Sequence, residues 1–515
     1  MESGIELTRR SRLVAAIIII AAALVGGCGY FPAPSRALAR GRRDMTVGHY
    51  RQAMRRFRQA AAKGNGDAMN DIGVLYYRGD GMPRDYAKAM AWYRKAAANG
   101  NGAAMNNVGV LYECGDGVLQ DYAKALVWYR KAAAKGNGVA MCSIGALYHH
   151  GDGVPKDEGK ALAWSRRAAA NGNGVAMDNI GVDYGQGFGV PQDYAKAMAW
   201  WRKAAAKGDG DAMFNIGLDY ACGDGVPKDE GKALAWFRRA AANGDGNAMF
   251  NIGVLYDHGD GVPQDYAKSL EWYRKAATRG NGNAMYNIGV AYYNGRGVPQ
   301  DYAKALAWYR RAAAIGVGTA MYNIGVLYDR GDGVPKGEGK ALAWYRKAAA
   351  KGNGNAMYNI GVDYCNGKGV PQDYAKAMAW ACKAAAKGVG AAMYNIGILY
   401  DHGEGVRQDY AKAMGWYRKA AVKGKGEAMN AIGALYDHGD GVAQDYAKAM
   451  VWWRKAAVKG DGDAMYNIGV LYDHGHGVPQ DETKAIKWWR RAEAAGGQVA
   501  VLARKTIALA QIKGK

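Results

Sequence analysis

The chain has 515 residues, with 69 Lys or Arg against 46 Asp or Glu and a formal net charge of +23. That balance comes without a block of like charge in the repeating part of the chain and without a nucleic-acid reading motif, which disfavours a nucleic-acid partner. Length alone suggests three or four domains, a prior that internal repetition overrides.

The chain opens with a leader, residues 1–28. Arg9, Arg10 and Arg12 precede an uncharged run from Leu13 to Val25, followed by Gly26, Gly27 and Cys28. A basic segment, an apolar core too short for a transmembrane span and a small-residue site together describe a secretory signal. Val25-Gly26-Gly27-Cys28 resembles a bacterial lipobox, which implies acylation of Cys28 and a membrane anchor through that lipid. An ordinary cleaved signal, or an uncleaved anchor with an incidental cysteine, is the alternative. Thr8-Arg9-Arg10 has a faint likeness to a twin-arginine signal, but the residues after it do not fit.

Residues 29–47 contain Pro and Arg without apolar periodicity and read as a flexible tether. Residues 48–64 are predicted to form an N-terminal capping helix. There, Tyr50 stands 36 residues before Tyr86 and Phe57 the same distance before Tyr93, while Arg51, Arg55, Arg56 and Arg58 suit a face with no neighbour.

Residues 65–496 are twelve copies of one 36-residue unit. Gly280 and its equivalents from Gly64 to Gly496 recur at this step with no insertion or deletion. Within one copy, Ala248, Met249, Ile252, Leu255 and Tyr256 make an apolar stripe of helical period, with Gly253 placed for a close backbone approach. His258-Gly259-Asp260-Gly261 stops that helix. Asp265 then caps a second one, whose stripe of Tyr266, Leu270, Tyr273, Ala276 and Ala277 closes at Gly280. Helices this short are marginal alone, so each pair must be covered by its neighbours. Residues 497–515, where Ala500, Leu502, Ile507, Leu509 and Ile512 mix with Arg504, Lys505 and Lys513, are predicted to form a C-terminal capping helix.

The unit A-M-x-N-I-G-V-x-Y-x-x-G-x-G-V-P-x-D-Y-x-K-A-x-x-W-Y-x-K-A-A-x-x-G resembles the Sel-one-like repeat (SLR), a relative of the tetratricopeptide repeat. In one copy the match includes Asn251, Ile252, Gly253, Tyr256, Gly259, Gly261, Val262, Asp265, Lys268, Trp272, Tyr273, Lys275, Ala276, Ala277 and Gly280. The resemblance implies an all-α, α/α superhelical solenoid of stacked helix-turn-helix repeats. It also implies an interaction scaffold or adaptor with protein or peptide partners, and no chemistry of its own. Some exported relatives carry a cysteine pair in every unit. This chain departs from them, and the five cysteines after the leader cannot all pair with one another.

In related helical repeats the first helix lines the concave surface, and here its non-core positions form columns. One column reads Asn215, Asn251, Asn287, Asn323, Asn359, Asn395 and Asn467, extending back to Asn107 and Asn179. Beside it runs Phe214, Phe250, Tyr286, Tyr322, Tyr358, Tyr394 and Tyr466. Amides and rings in rows suit an extended peptide, or equally a structural ladder between repeats. On the second helix Lys268, Arg274 and Lys275 recur, reading either as a basic face for anionic envelope polymers or lipid, or as a solvated face with favourable last-turn cations.

No catalytic, cofactor or metal set is predicted. His258, His402, His438 and His474 share one turn column, but equivalent residues in adjacent units stand about a helix-packing distance apart, ~10 Å. His474 with His476 is the one close pair. Gly-x-Gly turns without a preceding strand are a weak phosphate signal, and an enzyme needs one distinct pocket rather than twelve similar ones. The turn at Gly185-Gln186-Gly187-Phe188-Gly189 departs from the pattern and is the main place for an irregular site. The expected protein is thus an exported, lipid-anchored scaffold in the periplasm or at the outer membrane, with a structural or polymer-binding protein as the rival and a secreted host-interaction factor as a third reading.

Overall fold

The computed structural model describes residues 36–513, and among them there are 27 α-helices and no strand. The leader and Cys28 lie outside the described residues. No helix among those described is long and apolar enough to cross a membrane. The chain divides into two compact units, up to Arg279 and from Gly280 onward, each a stack of helix pairs. In every repeat the first helix is called A and the second B.

The local sequence sets each helix end. Asn65 precedes helix A (Gly66–Arg78) of the first repeat, and its side chain accepts from the Ala68 amide at 2.8 Å. Gly79 ends that helix in the left-handed region with φ 76°, its N–H donating to the Leu75 carbonyl. Asp85 caps helix B (Tyr86–Ala98) by accepting from the Lys88 amide at 2.9 Å, while the Lys88 ammonium returns to the same carboxylate at 2.8 Å. Such caps are each worth about 1 kcal/mol.

Between helices A and B the packing rests on a glycine facing a ring. A Cβ placed on Gly73 would meet the Tyr93 ring at 2.5 Å, and the same contact recurs at Gly253 with Tyr273 and at Gly325 with Tyr345. Around this contact Ala68, Ile72, Leu75, Ala89, Met90 and Ala96 are buried. The second glycine of each Gly-x-Gly turn does a different job from the first. A Cβ on Gly81, whose φ is 73°, would fall 2.6 Å from the Tyr50 Cβ one repeat back. The turn therefore serves as a packing device between repeats.

The N-terminal end of the array differs from expectation. The stretch read as a tether contains helix α1 (Arg36–Thr46), which packs on α2 (Tyr50–Ala61). Leu38 and Gly41 form its buried face, and Gly41 receives the Phe57 ring at 2.6 Å from a would-be Cβ, as the repeat glycines do. The segment 48–64 is consequently covered by another helix instead of ending the stack. Arg42 Nε holds Asp71, a carboxylate in the first repeat, at 2.7 Å, and Arg56 holds Asp44 at 3.0 Å. At the other end, helix Gly497–Lys513 buries Ala500, Ala503, Ile507 and Ala510, and the Tyr466 and Thr506 hydroxyls bond at 3.2 Å.

Candidate interaction surfaces

The asparagine column lies along the seams between neighbouring repeats. Asn107 Nδ2 donates to Asn70 at 3.0 Å, Asn215 to Asp178 at 3.0 Å, Asn467 to Asn430 at 3.3 Å and Asn323 to the Tyr286 hydroxyl at 3.4 Å. Every acceptor sits 37 residues earlier, one repeat back. Asn395 faces the Tyr358 hydroxyl in the same way, and Asn359 faces that of Tyr345. Asn251 turns to its own helix, donating to the Asn247 carbonyl at 2.9 Å. Asn215 and Asn251 are buried, so they offer no surface to a partner, while Asn287 is half-buried.

The aromatic column behaves differently. Phe214, Phe250, Tyr286, Tyr322, Tyr394 and Tyr466 each rest on a ring of helix B in the same repeat, with centroids 5.6–6.1 Å apart. Offset pairs at such distances contribute roughly 0.5–1.5 kcal/mol beyond area. Phe250 is buried and drops out of the surface, whereas Phe214, Tyr286, Tyr322, Tyr358, Tyr394 and Tyr466 are half-buried. Tyr358 has no ring beneath it, because Ala381 stands where Tyr345 and Tyr417 stand in the flanking repeats.

The basic residues of helix B have assigned neighbours. Lys268 pairs with the cap Asp265 at 3.1 Å, and Lys275 lies 4.2 Å above the Trp272 ring. The arginine column donates to a tyrosine of the next repeat, as in Arg238 to the Tyr256 hydroxyl at 3.0 Å and Arg346 to that of Tyr364 at 3.1 Å. A phenol leaves the arginine charge uncompensated, so this side keeps a positive field even where its donors are occupied.

Three irregularities escaped the reading of a single unit. Asp183, Asp219 and Asp363 occupy the column filled by Leu75, Leu111, Leu255 and Leu327 elsewhere, and Asp219 is fully buried. Burial pushes the Asp183 carboxyl up to about 7, helped by Glu158 and opposed by Arg166. Burial likewise raises Asp363 to about 7, with Asp329 and Glu338 adding to it and Lys368 opposing. Secondly, Tyr77, His149, Tyr293, Asp329 and Asp437 share one repeat position and each faces the turn 39 residues on, with a pair that changes from seam to seam. Tyr77 donates to Asp116 at 3.1 Å, His149 meets the Phe188 ring at 5.2 Å, and Tyr293 donates to Asp332 at 3.4 Å. Lys368 is ion-paired with Asp329, and Asp437 sits in the field of His476. A search at spacing 39 would have found these pairs. Thirdly, a cavity of about 590 Å³ lined by Arg454, Val458, Met465, Trp488 and Arg491 opens where Ala495 replaces the longer residue of other repeats, such as Lys459.

The irregular turn at Gly185–Gly189 brings Phe188 to His149, whose Nδ1 is 2.6 Å from a Glu158 carboxylate oxygen. His474 and His476 stack at 5.5 Å between ring centroids. Among the described residues no group of three or more His, Cys, Asp or Glu side chains converges as a metal site. Cys114, Cys142, Cys222, Cys365 and Cys382 are free thiols, and burial pushes Cys142 up to about 12.

The Sel1 repeat model matches this chain twelve times in succession, at 66–101, 102–137, 138–173, 174–209, 210–245, 246–281, 282–317, 318–353, 354–389, 390–424, 426–461 and 462–497. The chain is similar to c5321, a protective antigen present in uropathogenic Escherichia coli strains that displays an SLR fold. The two are 33% identical with a TM-score of 0.58, over 89% of this chain and 97% of that one. A Sel1 repeat protein from Oxalobacter formigenes is also 33% identical, with a TM-score of 0.48 over 59% of this chain and 88% of that one. No curated protein sequence matches the chain. With twelve matched repeats over most of its length, ten of them packing a helix A glycine on a helix B ring, the chain belongs to the Sel1 repeat family, an α/α solenoid.

Proposed function

We propose that this chain is a non-enzymatic interaction scaffold of a bacterial cell envelope, which takes an extended polypeptide along the tyrosines of its A helices. Sel1 and tetratricopeptide-like solenoids are typical of protein-interaction scaffolds. The observation that carries the finer reading is the run Tyr286, Tyr322, Tyr358 and Tyr394. These rings stand one repeat apart in a single unit, and each is only partly buried. Rings held on a rigid helix supply large contact area at little entropic cost, and partners that span several repeats gain avidity. The asparagines contribute by fixing the seams that hold those rings in register.

Export is supported by Arg9, Arg10 and Arg12 before the apolar run 13–25, and lipid anchoring by Cys28 after Gly26 and Gly27. Mass analysis of the N-terminus from native membranes tests this, an unmodified Met1 being the overturning result. For the groove, partners captured from the native envelope should lose about tenfold or more in affinity for Tyr322→Ala with Tyr358→Ala, with binding insensitive to salt.

A second reading has its own support in the uncompensated arginines of helix B, exemplified by Arg238 and Arg346. They suit an anionic envelope polymer, and binding to such a polymer should weaken steeply with ionic strength and ignore the tyrosine changes.

A further inference from the structure

We propose that the α1–α2 hairpin is a docking surface for an anionic phospholipid bilayer. The two helices carry eight arginines against a single aspartate, Asp44. Arg36, Arg40 and Arg43 follow one another at i, i+4 and i+7 on α1, and Arg51, Arg55 and Arg58 repeat that spacing on α2. This spacing gathers each triplet into one narrow stripe along its helix. All six residues are exposed, and the stripes lie away from the faces that bury Leu38 and Gly41 on α1 and Ala53, Met54 and Phe57 on α2.

The remaining two arginines show what structural pairing looks like here. Arg42 is held by Asp71 and Arg56 by Asp44. None of the six stripe arginines forms an ion pair among the described residues, and Arg58 meets only a neutral phenol, the Tyr76 hydroxyl at 3.3 Å. The repeats blunt their basic B helices with a cap aspartate, as Asp85 does for Lys88. At α2 the cap position is His49, which makes no side-chain cap bond. The hairpin therefore concentrates unpaired guanidinium groups, whose planar donor fork fits phosphate oxygens.

Its place in the chain favours a bilayer over other phosphates. Helix α1 starts at Arg36, eleven residues beyond Val25, the end of the apolar run. Ten intervening residues reach at most about 33–36 Å when extended, so an anchored leader or an acylated Cys28 would hold the hairpin at headgroup level. This last step rests on the anchoring proposed above.

The test uses the full chain with vesicles of phosphatidylcholine, alone or mixed with phosphatidylglycerol. Flotation on neutral vesicles reports the anchor. The hairpin is reported separately, by amide hydrogen exchange in α1 and α2. Exchange there should slow about threefold or more on phosphatidylglycerol vesicles relative to neutral ones, and the protection should vanish in high salt. Arg36→Gln with Arg40→Gln and Arg43→Gln should remove most of it, while the Lys variants at the same three sites should keep part, which separates charge from helix stability. Equal exchange on both vesicle types, or full protection in the Gln variant, overturns the proposal. Protection by free inorganic phosphate without vesicles overturns the bilayer as its source. Failure to float on neutral vesicles sinks the anchor alone, since contact with phosphatidylglycerol still reads out the hairpin.

Discussion

Two adjacent repeats of the second unit, 318–353 and 354–389, share their C-cap residues but not their N-caps, and they differ again at their centres. Val317 and Gly337 make no side-chain cap bond, whereas Asn353 and Asp373 do. In the first, Gly325 takes the Tyr345 ring, Leu327 is buried and Arg346 reaches Tyr364 of the next repeat. In the second, Ala381 replaces the ring, Asp363 replaces the leucine and Cys382 replaces the arginine. The array tolerates this because each repeat is held by its neighbours on both sides, so one weak centre does not unfold the stack. The centre of 354–389 is thus the less cohesive of the two, and Tyr358 stands above no ring.

Asp363 offers the largest expected effect. Its folded carboxyl titrates near 7, above an unfolded value near 4. Below about pH 4 both states are protonated and the group costs nothing. Between about 4 and 7 the unfolded chain ionises while the folded one does not, so stability falls as pH rises and stays low above 7. The fall is about 2–3 kcal/mol once the full difference between the two states, about 4 kcal/mol, is reduced for solvent screening. Urea unfolding with exchange read on helix Gly354–Asn366 should show this fall, and Asp363→Leu should flatten it; an unchanged profile in the variant would remove Asp363 as its cause.

The glycine column comes next. A Cβ at Gly325 would lie 2.5 Å from the Tyr345 ring, whereas at Gly361 the nearest atom is the Ala377 carbonyl oxygen at 3.4 Å. Gly325→Ala should therefore lose about 1–3 kcal/mol through overpacking. Gly361→Ala should be neutral or gain up to about 1 kcal/mol from helix propensity. Equal losses in the two urea midpoints would mean that the missing ring of 354–389 has been replaced by something equally close.

The smallest effect lies at the seam joining the two repeats, where Asp329 pairs with Lys368 in a half-exposed setting. A double-mutant cycle with Asp329→Asn and Lys368→Gln should return a coupling of about 0.5–1 kcal/mol that shrinks with salt. Zero coupling at low salt would reduce the pair to coincidence.

How much of this was legible without coordinates follows from what a period can encode. The stack and its capping aspartates were readable because they recur, and so was the ring-bearing helix B. Helix α1 was not, because its turn into α2 is shorter than the repeat turn and removes Gly41 from the 36-residue step. Only the buried pattern of Leu38 and Gly41 betrays it. Asn251 and Phe250 were read as surface because a single helix cannot reveal which polar residues the next repeat covers. The pairs at spacing 39 were invisible for the same reason, since each half looks like an ordinary turn residue until its neighbour is set beside it.

That most repeats carry the glycine-and-ring packing within themselves also bears on how such a gene changes length. Excising 318–353 would bring 354–389 up against 282–317 through a joint already used elsewhere in the unit, with no new core to invent. The seam-specific pair would be wrong, since Tyr293 would then face Lys368 in place of Asp332. Unequal recombination can thus shorten or lengthen this protein in whole steps, and mismatched turn pairs would mark the sites of recent joints.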